Sequence, residues 1–127
     1  MTRSFQTAGL PDRPDAIAPD GSEVRLLVKC DRGSMAQFHL PPGAVSMAVA
    51  HHTVEELWYF TRGRGRMWLA QDGREAIVRL QPGISISIPA RTRFQFRCDG
   101  DEPLEATGVT MPPWPGMDEA YRVEGCW

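Results

Sequence analysis

Apolar residues along this chain recur at every second position in short stretches, and turn residues break the alternation roughly every eight residues. That pattern spells antiparallel strands, and no stretch carries the period of an amphipathic helix. Strands are predicted near Glu23 to Lys29, Ser34 to Leu40, Val45 to His51, Glu56 to Thr61, Arg64 to Gln71, Glu75 to Gln81, Ile84 to Ile88, Arg93 to Cys98 and Leu104 to Thr110. Glycine marks the reversals between them, at Asp31-Arg32-Gly33, Pro41-Pro42-Gly43, Arg62-Gly63-Arg64-Gly65, Asp72-Gly73, Pro82-Gly83 and Asp99-Gly100. Asp72-Gly73 is the sharpest of these and predicts a two-residue hairpin turn. Many short strands without helices to cover their edges favour closure into a barrel or pairing between subunits.

The two ends differ from the middle. Residues 1–22 are rich in proline and aspartate and predict a loose arm, with an edge strand near Ala16 to Ala18. Residues 23–111 make the barrel. In residues 112–127, Pro112, Pro113 and Pro115 remove ladder donors, so a regular central strand is excluded there. Trp114, Tyr121 and Trp127 predict that this segment packs on the barrel or on a partner subunit, because exposed aromatic surface costs roughly 25 cal/mol per Å².

Composition narrows the function classes. The 127 residues suffice for one core of useful size and not for two. Fourteen basic against 16 acidic residues give a net charge of −2, mixed along the chain, so no footprint for phosphate backbones or anionic lipid is present. Nucleic acid and membrane are therefore poor partners. No apolar run is long enough to span a bilayer, and the proline-rich start lacks a signal-peptide core, which predicts a cytoplasmic protein. Cys30, Cys98 and Cys126 are odd in number and scattered, which argues for reduced thiols and against a thiolate zinc site.

In the middle of the chain, Gly43, His51, Glu56 and Gly63 fall in the frame of a glycine, an HxH pair, a glutamate and a second glycine, with Glu55-Glu56-Leu57-Trp58-Tyr59-Phe60 as the strand between. Pro82-Gly83, the apolar run to Pro89 and Arg93 to Arg97 echo a second such frame. From about Ser34 to Val109 the chain resembles the cupin family. The resemblance implies an all-β fold, the antiparallel double-stranded β-helix (jelly-roll) barrel, which commonly forms homodimers through an edge strand. It also implies a divalent metal ion (Zn, Fe, Mn or Ni) held inside the barrel, with His51 and Glu56 in two of the four ligand slots. Val49 and Phe94 stand in the other two slots, Cys98 where asparagine is usual, and Arg91 where glycine is preferred.

Two protein ligands are few for a stable metal site. A third would come from His52 through a local bulge, from His39 on the preceding strand, or from Cys98. Without metal, a hydrogen-bonded His51 and Glu56 pair would serve as general base and acid. Strand alternation puts Trp58 and Phe60 on the face of Glu56, and Phe94, Phe96 and Cys98 together on the late strand, so these five are the candidate pocket walls. The expectation is a small metal-assisted enzyme acting on a small organic molecule, with a binding or sensor module as the alternative.

Overall fold

Sheet formation follows the alternation closely. In the computed structural model, which describes residues 4–127, the strands are β1 (Ala16–Ile17), β2 (Glu23–Lys29), β3 (Ser34–Leu40), β4 (Val49–His51), β5 (Glu55–Arg62), β6 (Gly65–Gln71), β7 (Arg74–Leu80), β8 (Ser85–Ile88), β9 (Arg93–Cys98), β10 (Leu104–Met111) and β11 (Ala120–Arg122). Residues 1–3, the start of the expected arm, lie outside the described residues. A single 3-10 turn, Met117–Glu119, is the one helical element among the described residues, and no helix is long and apolar enough to cross a membrane. The β6–β7 hairpin turns on Asp72 and Gly73, both in the left-handed region at φ 44 and φ 78, as the two-residue loop requires.

The strands form two antiparallel sheets, ordered β1-β2-β3-β10-β5-β8 and β11-β4-β9-β6-β7. After the β2–β3 hairpin the chain passes repeatedly from one sheet to the other, which is the double-stranded β-helix. The expected closed barrel is corrected to a sandwich, because no ladder among the described residues joins the sheets. Pro41, Pro42, Pro82, Pro89 and Pro103 lie in the crossings between sheets, and a residue without an N–H cannot carry a ladder around a corner. The expected strand from Val45 likewise shortens to β4, leaving only one isolated bridge between Val45 and Arg97.

Inward positions of both sheets meet in one core. Along β5, Glu56, Trp58 and Phe60 are buried while Glu55, Leu57 and Tyr59 are exposed, the period of a half-buried strand. Phe38 of β3 and Trp58 stack at 4.5 Å and 16° across the intervening strand β10, where Gly108, the register partner of Trp58, leaves open the space that the Phe38 ring fills. Trp58 then meets Phe94 and Phe96 of the second sheet edge-on, at 6.0 and 5.2 Å. Edge-to-face and offset contacts of this kind add to the burial energy of the rings.

Both ends of the chain are tied down. Leu26 N donates to the Asp15 carboxylate and Asp15 N to the Val24 carbonyl, both at 2.8 Å, holding the arm against β2. At the other end β11 pairs with β4, and the Gln95 amide oxygen accepts the backbone N–H groups of Cys126 and Trp127, both at 3.1 Å. Trp127 packs on Ala48, Trp68 and Ala70 on the outer face of the second sheet.

A Cβ added at Gly108 would lie 2.4 Å from Phe38 Cε2 and 3.3 Å from Trp58 Cδ1. Gly108→Ala is therefore expected to lose roughly 1–3 kcal/mol of stability by overpacking, measured by urea unfolding. A matched substitution at the open turn glycine Gly43, replaced by asparagine, is expected to change it far less.

Candidate functional site

Where the aromatic layer ends, the sheets part around a cavity of about 120 Å³. Three registered positions explain the gap. Ser34 of β3, Thr110 of β10 and Glu56 of β5 lie in one row, so two short polar side chains follow directly on the row that carries Trp58. The Ser34 and Thr110 hydroxyls hydrogen-bond to each other, and Ser34 Oγ also accepts the Trp114 N–H at 3.0 Å. Phe38, Trp58, Phe94 and Trp114 border the cavity, and its third side is closed by residues 16–20 of the arm.

His51 ends β4 and is only 6% exposed. Its ring meets Phe94 and Trp114 edge-on, at 5.5 and 5.1 Å. Burial lowers its pKa below the usual 6.5, against the opposing pull of the Glu119 carboxylate and the Val54 backbone, so the imidazole is neutral at ordinary pH. Nδ1 is buried without a hydrogen-bond partner among the described residues. The loop after His51 is held by Glu119, whose Oε1 accepts the backbone N–H groups of Thr53 and Val54 at 2.8 and 2.7 Å.

Glu56 is 4% exposed and accepts a hydrogen bond from Trp58 Nε1 at 2.7 Å. Burial pushes its pKa up to about 8, the Trp58 bond opposes that rise, and the nearby Asp20 charge adds to it. Asp20, in the turn between β1 and β2, borders the same cavity. Burial raises its pKa as well, even though its carboxyl accepts from Ser22 N at 2.9 Å and from Ser22 Oγ at 2.6 Å.

Of the side chains singled out in the sequence, the structure brings His51, Glu56, Trp58 and Phe94 to this cavity. The expected hydrogen bond between His51 and Glu56 is not formed; the Glu56 carboxyl accepts from Trp58 Nε1. His39 is not part of the site. Alternation turns it away from the inward Phe38 and Leu40, and its Nδ1 lies 2.9 Å from Glu105 Oε2 on the outer face. His52 is exposed against the Tyr121 ring at 4.4 Å, since the chain after His51 enters the loop clamped by Glu119 instead of bulging inward. Phe60, Phe96 and Cys98 are buried deeper in the core, and Cys98 Sγ donates to the Glu102 carbonyl at 3.2 Å. Asp20 and Thr110 were not legible as site residues. The Pro19-Asp20-Gly21-Ser22 run reads only as a turn, and a turn does not say what it faces.

The donor set does not fit a resident divalent metal ion. Among the described residues no group of three or more His, Cys, Asp or Glu side chains converges, and Val49 and Phe94 put carbon where two ligands would be needed.

An all-β sandwich of this topology with a cavity between its sheets defines a class, and comparison places the chain within it. The family described as Cupin domain matches residues 36–110, and the chain belongs to the cupin family. An uncharacterized protein of Methanocaldococcus jannaschii is 31% identical over 107 residues, which cover 80% of this chain and 82% of that one. Among solved structures, an uncharacterized double-stranded β-helix protein of Klebsiella pneumoniae superposes with a TM-score of 0.68 at 13% identity, covering 98% of this chain and 100% of that one. Oxalate decarboxylase of Bacillus subtilis, an enzyme with Mn(II) centers, superposes with a TM-score of 0.71 at 20% identity over 88% of this chain. This chain spans only 30% of that enzyme's length, and likenesses this distant carry the fold alone.

The raised pKa of Glu56 sets a sign for stability. The folded protein keeps a proton that the unfolded chain releases above its ordinary value of 4.5, so the contribution is complete below that pH and is lost as pH rises through about 8. Wild-type Tm is expected to fall across this window. Glu56→Gln, which keeps the acceptor for Trp58, should flatten the fall and gain at least about 4 °C over wild type at the alkaline end, with Asp20 supplying the slope that remains.

Proposed function

We propose that this cupin binds a small organic molecule in the cavity between its sheets. In this reading His51 and Glu56 contact that molecule directly instead of holding a metal ion. The observation that carries the proposal is a largely carbon-lined cavity bordered by two buried polar residues, Glu56 and His51, the latter with its Nδ1 lacking a hydrogen-bond partner. Buried polar atoms are nearly always satisfied, so one left open at a cavity marks where a ligand atom belongs. An apolar cavity of roughly 150 Å³ holds a molecule the size of benzene, so about 120 Å³ suits a compact ligand.

The pair also supports proton transfer. A neutral imidazole and a carboxyl that titrates near 8 place one acceptor and one donor beside the same ligand, the arrangement of general acid and base. Turnover and plain binding use the same contacts. The metal-assisted version implied by the family resemblance needs a third ligand; His39, His52 and Cys98 do not line the cavity, and Asp20, which does, forms no metal-holding group with His51 and Glu56. The proposal extends to a cytoplasmic homodimer. Its supports are the free thiols Cys30, Cys98 and Cys126 and the edge strands β7 and β8, which leave one side of their ladders open.

Elemental analysis of protein purified without added metal tests the site directly. Wild type and His51→Ala are both expected to carry far less than one ion per chain. Near-stoichiometric metal that disappears in His51→Ala would overturn the metal-free reading. Sedimentation velocity is expected to show a dimer at micromolar concentration, and a monomer there would remove the homodimer from the proposal.

A further inference from the structure

The cavity wall is unbalanced in charge. Asp20 and Glu56 both border it, no lysine or arginine among the described residues does, and the one remaining ionisable group, His51, is 6% exposed. An anion entering would find no compensating cation, and its charge would oppose ionisation of two carboxyls that burial already holds toward their neutral forms. A cation meets the opposite situation. Phe38, Trp58, Phe94 and Trp114 border the same space, and aromatic rings attract positive charge, most strongly where water is excluded.

A bare metal ion would match the charge but not the surroundings, because it needs more oxygen and nitrogen donors than converge there. An alkylated ammonium group carries its charge inside a shell of carbon, so it satisfies the carboxyls and the rings together. His51 Nδ1, buried and without a partner, then serves a polar substituent of the same molecule. We infer that the ligand of this cavity is a small alkylammonium compound, its cationic centre shared by Asp20 and Glu56 and its alkyl shell packed on the surrounding rings. This rests on the reading that the cavity binds a small organic molecule, and it adds the chemical class.

Three probes of nearly the same shape separate the charge from the fit: choline, its neutral carbon isostere 3,3-dimethylbutan-1-ol, and the anion 3,3-dimethylbutanoate. Titrations followed by calorimetry and tryptophan fluorescence, at constant ionic strength, are expected to show choline binding at least about tenfold more tightly than the neutral isostere. Butanoate should bind weakest. Glu56→Gln and Asp20→Asn should each cut the preference for choline over the isostere several-fold. Equal or tighter binding of the neutral or anionic probe would overturn the cation assignment and leave the small-molecule reading standing. Failure of all three to bind would overturn both. The charge series on wild-type protein decides the matter even if a variant does not fold.

Discussion

Trp58 and Phe38 close over Gly108, and the aromatic layer between the two sheets is built on that contact. A side chain at Gly108 would occupy the space where the Phe38 ring lies, so only a bare backbone on the middle strand lets rings from its two neighbours stack. The stacked pair projects from the first sheet and meets Phe94 and Phe96 of the second, filling the gap with rings. One row further along, Ser34 and Thr110 replace bulk with hydroxyls, the filling runs out, and the cavity begins. The site is thus a consequence of where close packing stops.

What lines that space is costly for the fold. Asp20, His51 and Glu56 are all buried, and each is pushed toward its uncharged form. Ser22 and Trp58 offset part of the cost for the two carboxyls, while His51 Nδ1 has no such compensation. An apolar residue at these positions would avoid the desolvation penalty altogether. Burying three such groups around one cavity is what the proposed binding site calls for and what stability alone does not. The chain's two ends are part of that site: the arm supplies Asp20, and the C-terminal segment supplies both Trp114 and the Glu119 clamp on the loop after His51.

Much of the architecture was readable because its causes are local. Alternation in Glu55 to Phe60 and glycine at Asp72-Gly73 act through neighbouring residues, and β3, β9 and the β6–β7 turn appear where the pattern put them. The spacing of Gly43, His51, Glu56 and Gly63 pointed to the right family for the same reason, since it records strand and turn lengths. Closure was misjudged. Whether two sheets join edge to edge depends on ladders between distant segments, and the prolines at the crossings read from sequence only as turns.

By itself, then, the sequence pointed to an all-β cupin domain: strand parity grouped Glu56 with Trp58 and Phe60 and Val49 with His51, and the family resemblance implied that those faces point inward. Only the tertiary structure decided which polar groups share a cavity. It turned His39 outward to Glu105 and His52 toward Tyr121, and it drew Asp20 in from a turn and Trp114 from a proline-rich segment. Those outcomes depend on contacts between residues far apart in the chain, such as Trp114 with Ser34 and Glu119 with Thr53, which no local periodicity encodes.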